Sequence, residues 1–126
     1  MKKIYTIDGN NFETIEGFYD EISDKLIPGA EWGHGLDAFN DILNGGFGTP
    51  DEGFILIWKN AKKSKKDLGF PETLKWLENG LSRIHHTNVP FWKNRIELAK
   101  QEQGETLFMT LIDIILDHSD IELRFE

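Results

Sequence analysis

The chain has 126 residues, a formal net charge of -8 and no cysteine. This length suits a single domain with its own apolar core, and the lack of cysteine excludes disulfides and thiolate metal sites. The acidic excess disfavours direct binding of nucleic acid, whose phosphates carry the same sign of charge.

The N-terminal third predicts a strand, a turn and a helix. Residues Ile4 to Ile7 predict a short strand, and a turn follows at Asp8 to Asn11. The chain turns polar before the apolar core of a signal peptide could form, and no apolar run approaches the ~20 residues of a membrane span. We therefore expect a cytoplasmic protein without membrane contact. Five apolar residues then recur at helical spacing and predict a helix closed by Pro28 and Gly29: Ile15, Phe18, Tyr19, Ile22 and Leu26.

Residues 32–43 hold the most informative pattern of the chain. In a helix, Asp37 and Asp41 lie four residues apart on one face, and an apolar stripe lies on another. Two carboxylates at this spacing repel each other by a few tenths of a kcal/mol, and no Lys or Arg is placed to offset that cost. The pattern fits a solvated helix face, and it also fits charges presented to a cationic partner.

The middle of the chain predicts a strand followed by helices. The apolar run from Phe54 to Trp58 favours a strand covered on both faces, as in a parallel sheet. Residues Asn60 to Asp67 predict a short basic helix. Residues from about 70 to 104 have helical spacing, with a break expected at Pro90.

The C-terminal part predicts a helix and a final strand. The helix runs from about Glu105 to Asp117 and is apolar on nearly every side. Its polar positions form one narrow exposed stripe: Thr106, Thr110, Asp113 and Asp117. Residues 121–125 alternate between apolar and charged side chains, which indicates a half-exposed strand. Strands separated by helices predict an α/β domain with a small parallel sheet, and no linker divides residues 1–126.

Charge is distributed unevenly along the chain. Residues 1–52 hold 11 acidic and 3 basic side chains, residues 53–104 hold 5 and 10, and residues 105–126 hold 6 and 1. Acidic ends fit a basic partner attracted over long range, although moderate acidity also serves solubility alone.

Catalytic and metal-binding patterns are absent from the sequence. The adjacent residues His85 and His86 point apart on a helix or a strand, so they make a poor chelate. His118 lies near Asp117 and Asp120, which is more typical of a histidine at a helix end than of a catalyst. We expect no enzymatic activity, no cofactor and no bound metal.

Several motifs, in order, resemble the barstar family of small intracellular inhibitors of secreted bacterial ribonucleases. They are Lys2 to Gly9, Gly33, Leu36-Asp37-Ala38, Asp41, Ile55 to Trp58, Asp113 to Asp117 and Ile121 to Phe125. The resemblance covers about residues 1–68 and 104–126, and its most specific part is residues 32–43. It implies a three-stranded parallel sheet with helices packed on it.

The resemblance also implies a protein-binding surface on the second helix, the loop before it and the last helix. Asp41 matches the residue that family members insert into the nuclease active site, in place of a substrate phosphate. Asp37 matches the other acidic contact of that helix, and Asp113 lies where the family carries a glutamate. The candidate partner-binding residues are Trp32, Gly33, His34, Asp37, Asn40, Asp41, Asn44 and Asp113. The implied partner is a basic extracellular or toxin ribonuclease.

Four questions stay open at this point. Asp113 fits either a contact or plain solvent exposure, and Trp32 fits either a contact or a plug at the sheet edge. Asn40 stands where the best-known family member has an aromatic residue, which leaves a binding module with a non-nuclease partner as the alternative function. About thirty residues, 69–103, are inserted relative to the family. They could form a subdomain packed on the core, a patch for the partner, or a surface for self-association.

Overall fold

A three-stranded parallel sheet forms the centre of the molecule in the computed structural model, which describes residues 2–126. The strands are β1 (Ile4–Asp8), β2 (Ile55–Lys59) and β3 (Glu122–Phe125). Strand β2 lies in the middle, and Leu56 is opposite Tyr5 on one side and Leu123 on the other. The predicted α/β class and the parallel sheet are confirmed.

Residues 2–126 also form six helices. They are α1 (Ile15–Leu26), α2 (Leu36–Leu43), α3 (Ala61–Asp67), α4 (Phe70–Gly80), α5 (Val89–Lys100) and α6 (Leu107–Leu116). Short 3₁₀ turns lie at Gly9–Asn11, Leu81–Arg83 and His86–Asn88. The helical region predicted from about 70 to 104 is broken, as expected near Pro90: α4 ends at Gly80, and Pro90 lies in the first turn of α5. A proline is tolerated there, since its missing N–H has no partner within the helix.

The helices cover only one face of the sheet. Leu56 and Trp58 are fully buried, whereas Ile55 and Ile57 on the opposite face are half-buried, and Ile4 of β1 is 55% exposed. The prediction that β2 is covered on both faces is therefore wrong. One side of this sheet faces solvent despite its apolar residues.

Trp58 is the centre of the core. Its ring packs against Phe12, Phe18 and Phe108 at centroid distances of 5.3 to 6.3 Å. Its indole Nε1–H donates to the hydroxyl of Ser64, which is also fully buried, at 3.0 Å. A buried N–H without an acceptor is costly, so Ser64 fixes the position of α3 against β2.

The segment predicted to be inserted, residues 69–103, has its own small apolar cluster and is tied to the rest of the chain. Leu77, Ile96 and Ala99 are buried between α4 and α5. The Thr73 hydroxyl of α4 accepts a hydrogen bond from the backbone N–H of Leu107 at 2.8 Å. These contacts support the reading as an added subdomain, while its boundaries at 69–103 and self-association stay predictions.

The exposed face of α6 is wider than the sequence predicts. Leu107, Leu111 and Ile115 are buried, but Met109 is 48% and Leu116 is 61% exposed. The prediction of one narrow polar stripe is wrong. Helix α6 presents apolar residues to solvent on the same side as its acidic ones.

Candidate functional site

Helix α2 is a short, firmly held helix that exposes two carboxylates. Phe39, Ile42 and Leu43 are buried, which turns Asp37 and Asp41 toward solvent. Asp37 lies in the first turn, where the partial positive charge of the helix N-terminus favours an anion. The helix thus offsets part of the repulsion between the two acidic side chains.

The C-terminal end of α2 is locked by hydrogen bonds. The buried hydroxyl of Thr49 donates to the carbonyl of Ile42 at 2.5 Å, and the N–H of Gly46 donates to the carbonyl of Asp41 at 3.0 Å. Gly45 has a φ of 93°, a value that a residue with a side chain rarely adopts. Asn44 is exposed at the end of the helix. Asp41 is therefore carried by backbone with little freedom to move.

Within residues 2–126, no Lys, Arg or His side chain lies within ion-pair distance of Asp37, Asp41 or Asp113. All three are exposed. Helix α2 packs against α6, which carries Asp113. This arrangement offers several carboxylates to a cationic partner without internal competition.

The loop before α2 is fastened to α1. The indole N–H of Trp32 donates to the hydroxyl of Ser23 at 2.5 Å, and its ring packs edge-on against Tyr19 at 5.4 Å. His34 stacks on Trp32 at 4.6 Å, and its Nδ1 lies 3.1 Å from a carboxylate oxygen of Glu16. The hydrogen bond of Trp32 and its edge-on ring contact are both with α1, which favours a role in ordering this loop. Gly33, between these two anchored rings, is exposed with open space around it.

Asn40 links α2 to the end of α6. Its side-chain oxygen lies 2.7 Å from Nε2 of His118, one residue beyond the C-cap of α6. The half-buried Asn40 is thus held in place. This link is not visible in the sequence, since the two residues are 78 positions apart.

Asp113 has an acidic neighbour. Burial raises the pKa of Glu105, and a hydrogen bond with Asp113 and the charge of Asp113 raise it further. Two carboxyl groups sharing one site disfavour double ionisation. A cation brought to this side of α6 would relieve their repulsion.

Tyr19 supplies a further polar group beside the loop. Its position in the sequence predicted only a place in the apolar stripe of a helix. Its side chain is 2% exposed, and its hydroxyl has no hydrogen-bond partner within residues 2–126. Burial, assisted by the negative charge of Glu16, raises its pKa to about 12. A tyrosine at a buried helical position usually finds a partner for its hydroxyl, which is the signal that could have drawn attention to it.

Residues 2–126 contain no cluster of three or more His, Cys, Asp or Glu side chains placed to hold a metal ion. None of the helices described combines the length and apolar character needed to cross a bilayer.

Comparison with known proteins gives two findings. The sequence model of the family described as barstar (barnase inhibitor) matches residues 2–96. The chain is also 41% identical over 69 residues to a Bacillus subtilis (strain 168) protein named "Putative ribonuclease inhibitor YrdF". That match covers 55% of this chain and 71% of the relative. The family match includes α2 and the loop before it and ends before α6.

Proposed function

The chain belongs to the barstar family, and we propose that it inhibits a basic ribonuclease by filling the active site of that enzyme with acidic side chains. The family description names an inhibitor of barnase, and the relative from B. subtilis is named for ribonuclease inhibition. Both names support an inhibitor rather than an enzyme. We further propose that the target is a secreted or toxin nuclease, against which the protein acts in the cytoplasm as an immunity protein.

The exposed pair Asp37 and Asp41 on a rigid helix is the observation that carries the proposal. A ribonuclease active site is cationic because it binds phosphodiesters. A carboxylate held by a rigid helix can pair with Arg or Lys there and exclude the substrate by its bulk. We assign the central contact to Asp41 and flanking contacts to Asp37 and Asp113.

The border of this surface comes from the loop and from both ends of α2. Trp32 and His34 are held by α1, so the loop is already ordered before binding. A preorganised surface loses less conformational freedom on association. Gly33, before α2, adds exposed backbone, and Asn44, at the other end of the helix, adds an exposed side-chain amide. Asn40 is oriented by its hydrogen-bond contact with His118.

The acidic charge of the chain supports fast association with a basic nuclease. Long-range attraction raises the association rate, and added salt weakens it. We expect a one-to-one complex whose association rate falls with ionic strength while its dissociation rate changes little.

Inhibition of barnase by the purified protein tests the proposal. We expect Asp41→Ala to weaken inhibition by ~2 kcal/mol or more, roughly a thirtyfold rise in Kd, as for a central contact residue. Asp20→Ala is the matched control, because it removes an exposed aspartate from α1. Its effect should stay within a few tenths of a kcal/mol.

Two outcomes would count against this assignment. Equal inhibition by wild type and Asp41→Ala would remove Asp41 from the interface. A wild-type protein that inhibits neither barnase nor a basic nuclease encoded beside its gene would favour a non-nuclease partner.

A further inference from the structure

A cleft of about 520 Å³ separates α1 from the inserted helix α4. One wall is the start of α1 together with His34 and Gly35 of the loop. The other wall includes Lys75 of α4 and Arg83 just beyond it. Gly35 is also the N-cap of α2. The cleft therefore borders the acidic surface, with residues of the inserted segment on its far side.

The acidic groups of the cleft already have partners. Glu16 lies 3.1 Å from Nδ1 of His34, and Glu72 accepts the N–H of Ile15 at 3.0 Å. The second contact also caps the first turn of α1, where four backbone N–H groups lack partners within the helix. Within residues 2–126, neither carboxylate lies within ion-pair distance of Lys75 or Arg83.

Among the hydrogen-bond donors of the cleft that have no acceptor within residues 2–126 are one hydroxyl and two cations. They are the Tyr19 hydroxyl, the Lys75 ammonium and the Arg83 guanidinium. The lysine and the arginine are exposed, but the tyrosine is 2% exposed. A buried hydroxyl without a partner costs free energy in the unbound protein. Donors of this number and charge match an anion that accepts hydrogen bonds.

We propose that this cleft receives an acidic side chain of the nuclease docked on α2, with Lys75 and Arg83 pairing with its carboxylate and Tyr19 donating a hydrogen bond. The inference rests on the proposed function, because the docked nuclease brings the carboxylate to the cleft. Docking at α2 would also hold that group beside the cleft at a high effective concentration, which a free anion lacks.

The cleft gives the interface charges of both signs. The cationic active site of the nuclease meets α2, and an acidic group beside it meets α4. A nuclease with a basic residue at the second position would be repelled by Lys75 and Arg83. Like charges brought together at an interface suppress wrong partners. The inserted segment thereby selects among basic nucleases.

Two double substitutions with equal changes in charge test the proposal in binding to barnase. Lys75→Glu with Arg83→Glu alters the cleft, and Lys93→Glu with Lys100→Glu alters a different groove of the same inserted segment. The second pair makes the chain more acidic away from the cleft, so long-range attraction should leave binding unchanged or slightly faster. We expect the cleft pair to raise Kd about tenfold or more, through faster dissociation. Equal behaviour of the two pairs would overturn the proposal.

Tyr19→Phe separates the hydroxyl from the packing of the ring. The unbound variant should be as stable as the wild type, because the hydroxyl has no partner to lose. We expect its Kd for barnase to rise about fivefold, as for the loss of one hydrogen bond to a charged acceptor. An unchanged Kd would remove Tyr19 from the site.

Asp41→Ala in the same assay keeps the two hypotheses apart. If Asp41→Ala weakens binding and the cleft variants do not, the proposed function stands and the cleft assignment is wrong. If the wild-type protein does not bind barnase, that result counts against the proposed function with this nuclease. In that case, a titration without any nuclease tests whether the cleft binds an acidic side chain.

That titration follows the amide signals of Gly35 and Gly80, which lie on opposite walls, by NMR. We expect both to shift with N-acetylglutamate amide and not with N-acetylglutamine amide, and the shifts to vanish in the Lys75→Glu, Arg83→Glu variant. An equal response to inorganic phosphate would mark a general anion site and overturn the side-chain assignment. No response to the glutamate compound at millimolar concentrations, which are comparable to the effective concentration of a tethered group, would also overturn it.

Discussion

Replacing Tyr19 with Phe should remove a loss of stability that the wild-type protein undergoes as pH rises above about 10. Burial raises the pKa of Tyr19 from 10.0 to about 12, so the folded protein holds the phenol proton more tightly than the unfolded chain does. A group with a raised folded pKa stabilises the fold fully below its unfolded pKa. That contribution is lost as pH rises from about 10 toward 12.

The size of the effect follows from the two pKa values. A shift of about two units corresponds to at most ~2.7 kcal/mol. Half of this, about 1.4 kcal/mol, should be lost by pH 11, where the unfolded phenol is mostly ionised and the folded one is not. At pH 7 the two proteins should differ by less than ~1 kcal/mol, with Tyr19→Phe equal or more stable.

Urea unfolding of both proteins from pH 7 to pH 11 measures this difference. The free energy of unfolding of wild type should fall relative to that of Tyr19→Phe above pH 10. Parallel curves for wild type and Tyr19→Phe between pH 9 and pH 11 would mean that the folded and unfolded chains hold the Tyr19 proton equally tightly.

Three other substitutions test the fold and the α6 surface. Ser64→Ala leaves the indole N–H of Trp58 buried without an acceptor, and its free energy of unfolding in urea should drop by ~1–3 kcal/mol; an unchanged midpoint would contradict this. Glu105→Gln should raise stability by a few tenths of a kcal/mol at pH 7, where the charge of Asp113 disfavours ionised Glu105. The gain should vanish at pH 3, and a gain that persists there would point to another cause. Gly53→Ala should abolish the cooperative thermal transition, because Gly53 has a φ of 91° and a Cβ there would overlap a backbone carbonyl before β3.

Local pattern was enough to predict the elements of the fold. The strand predicted at Ile4 to Ile7 extends one residue further in the structure, and the helix predicted from Ile15 to Leu26 has those same ends. Local pattern did not predict which face of the sheet the helices cover. An unbroken apolar run such as Phe54 to Trp58 looks the same whether helices cover one face of the strand or both. That difference depends on where distant helices pack.

The candidate site was predictable to a different degree. The spacing of Asp37 and Asp41 follows from the helix period, and their exposure follows from the apolar stripe beside them. The contacts of His34 with Glu16 and of Asn40 with His118 join residues 18 and 78 positions apart. Sequence spacing carries no information on such pairs, because the fold alone brings them together.

The half-covered sheet affects how the protein behaves at high concentration. Strands β1 and β3 each pair on one side only, so each leaves a row of backbone groups able to recruit another strand. These unpaired backbone groups lie near the exposed Ile4 and the half-buried Ile55 and Ile57, and together they favour aggregation. Strand β3 carries Glu122 and Arg124, both exposed, and charged side chains on an edge strand oppose pairing with another chain. The same two residues therefore protect a surface that the helices leave open.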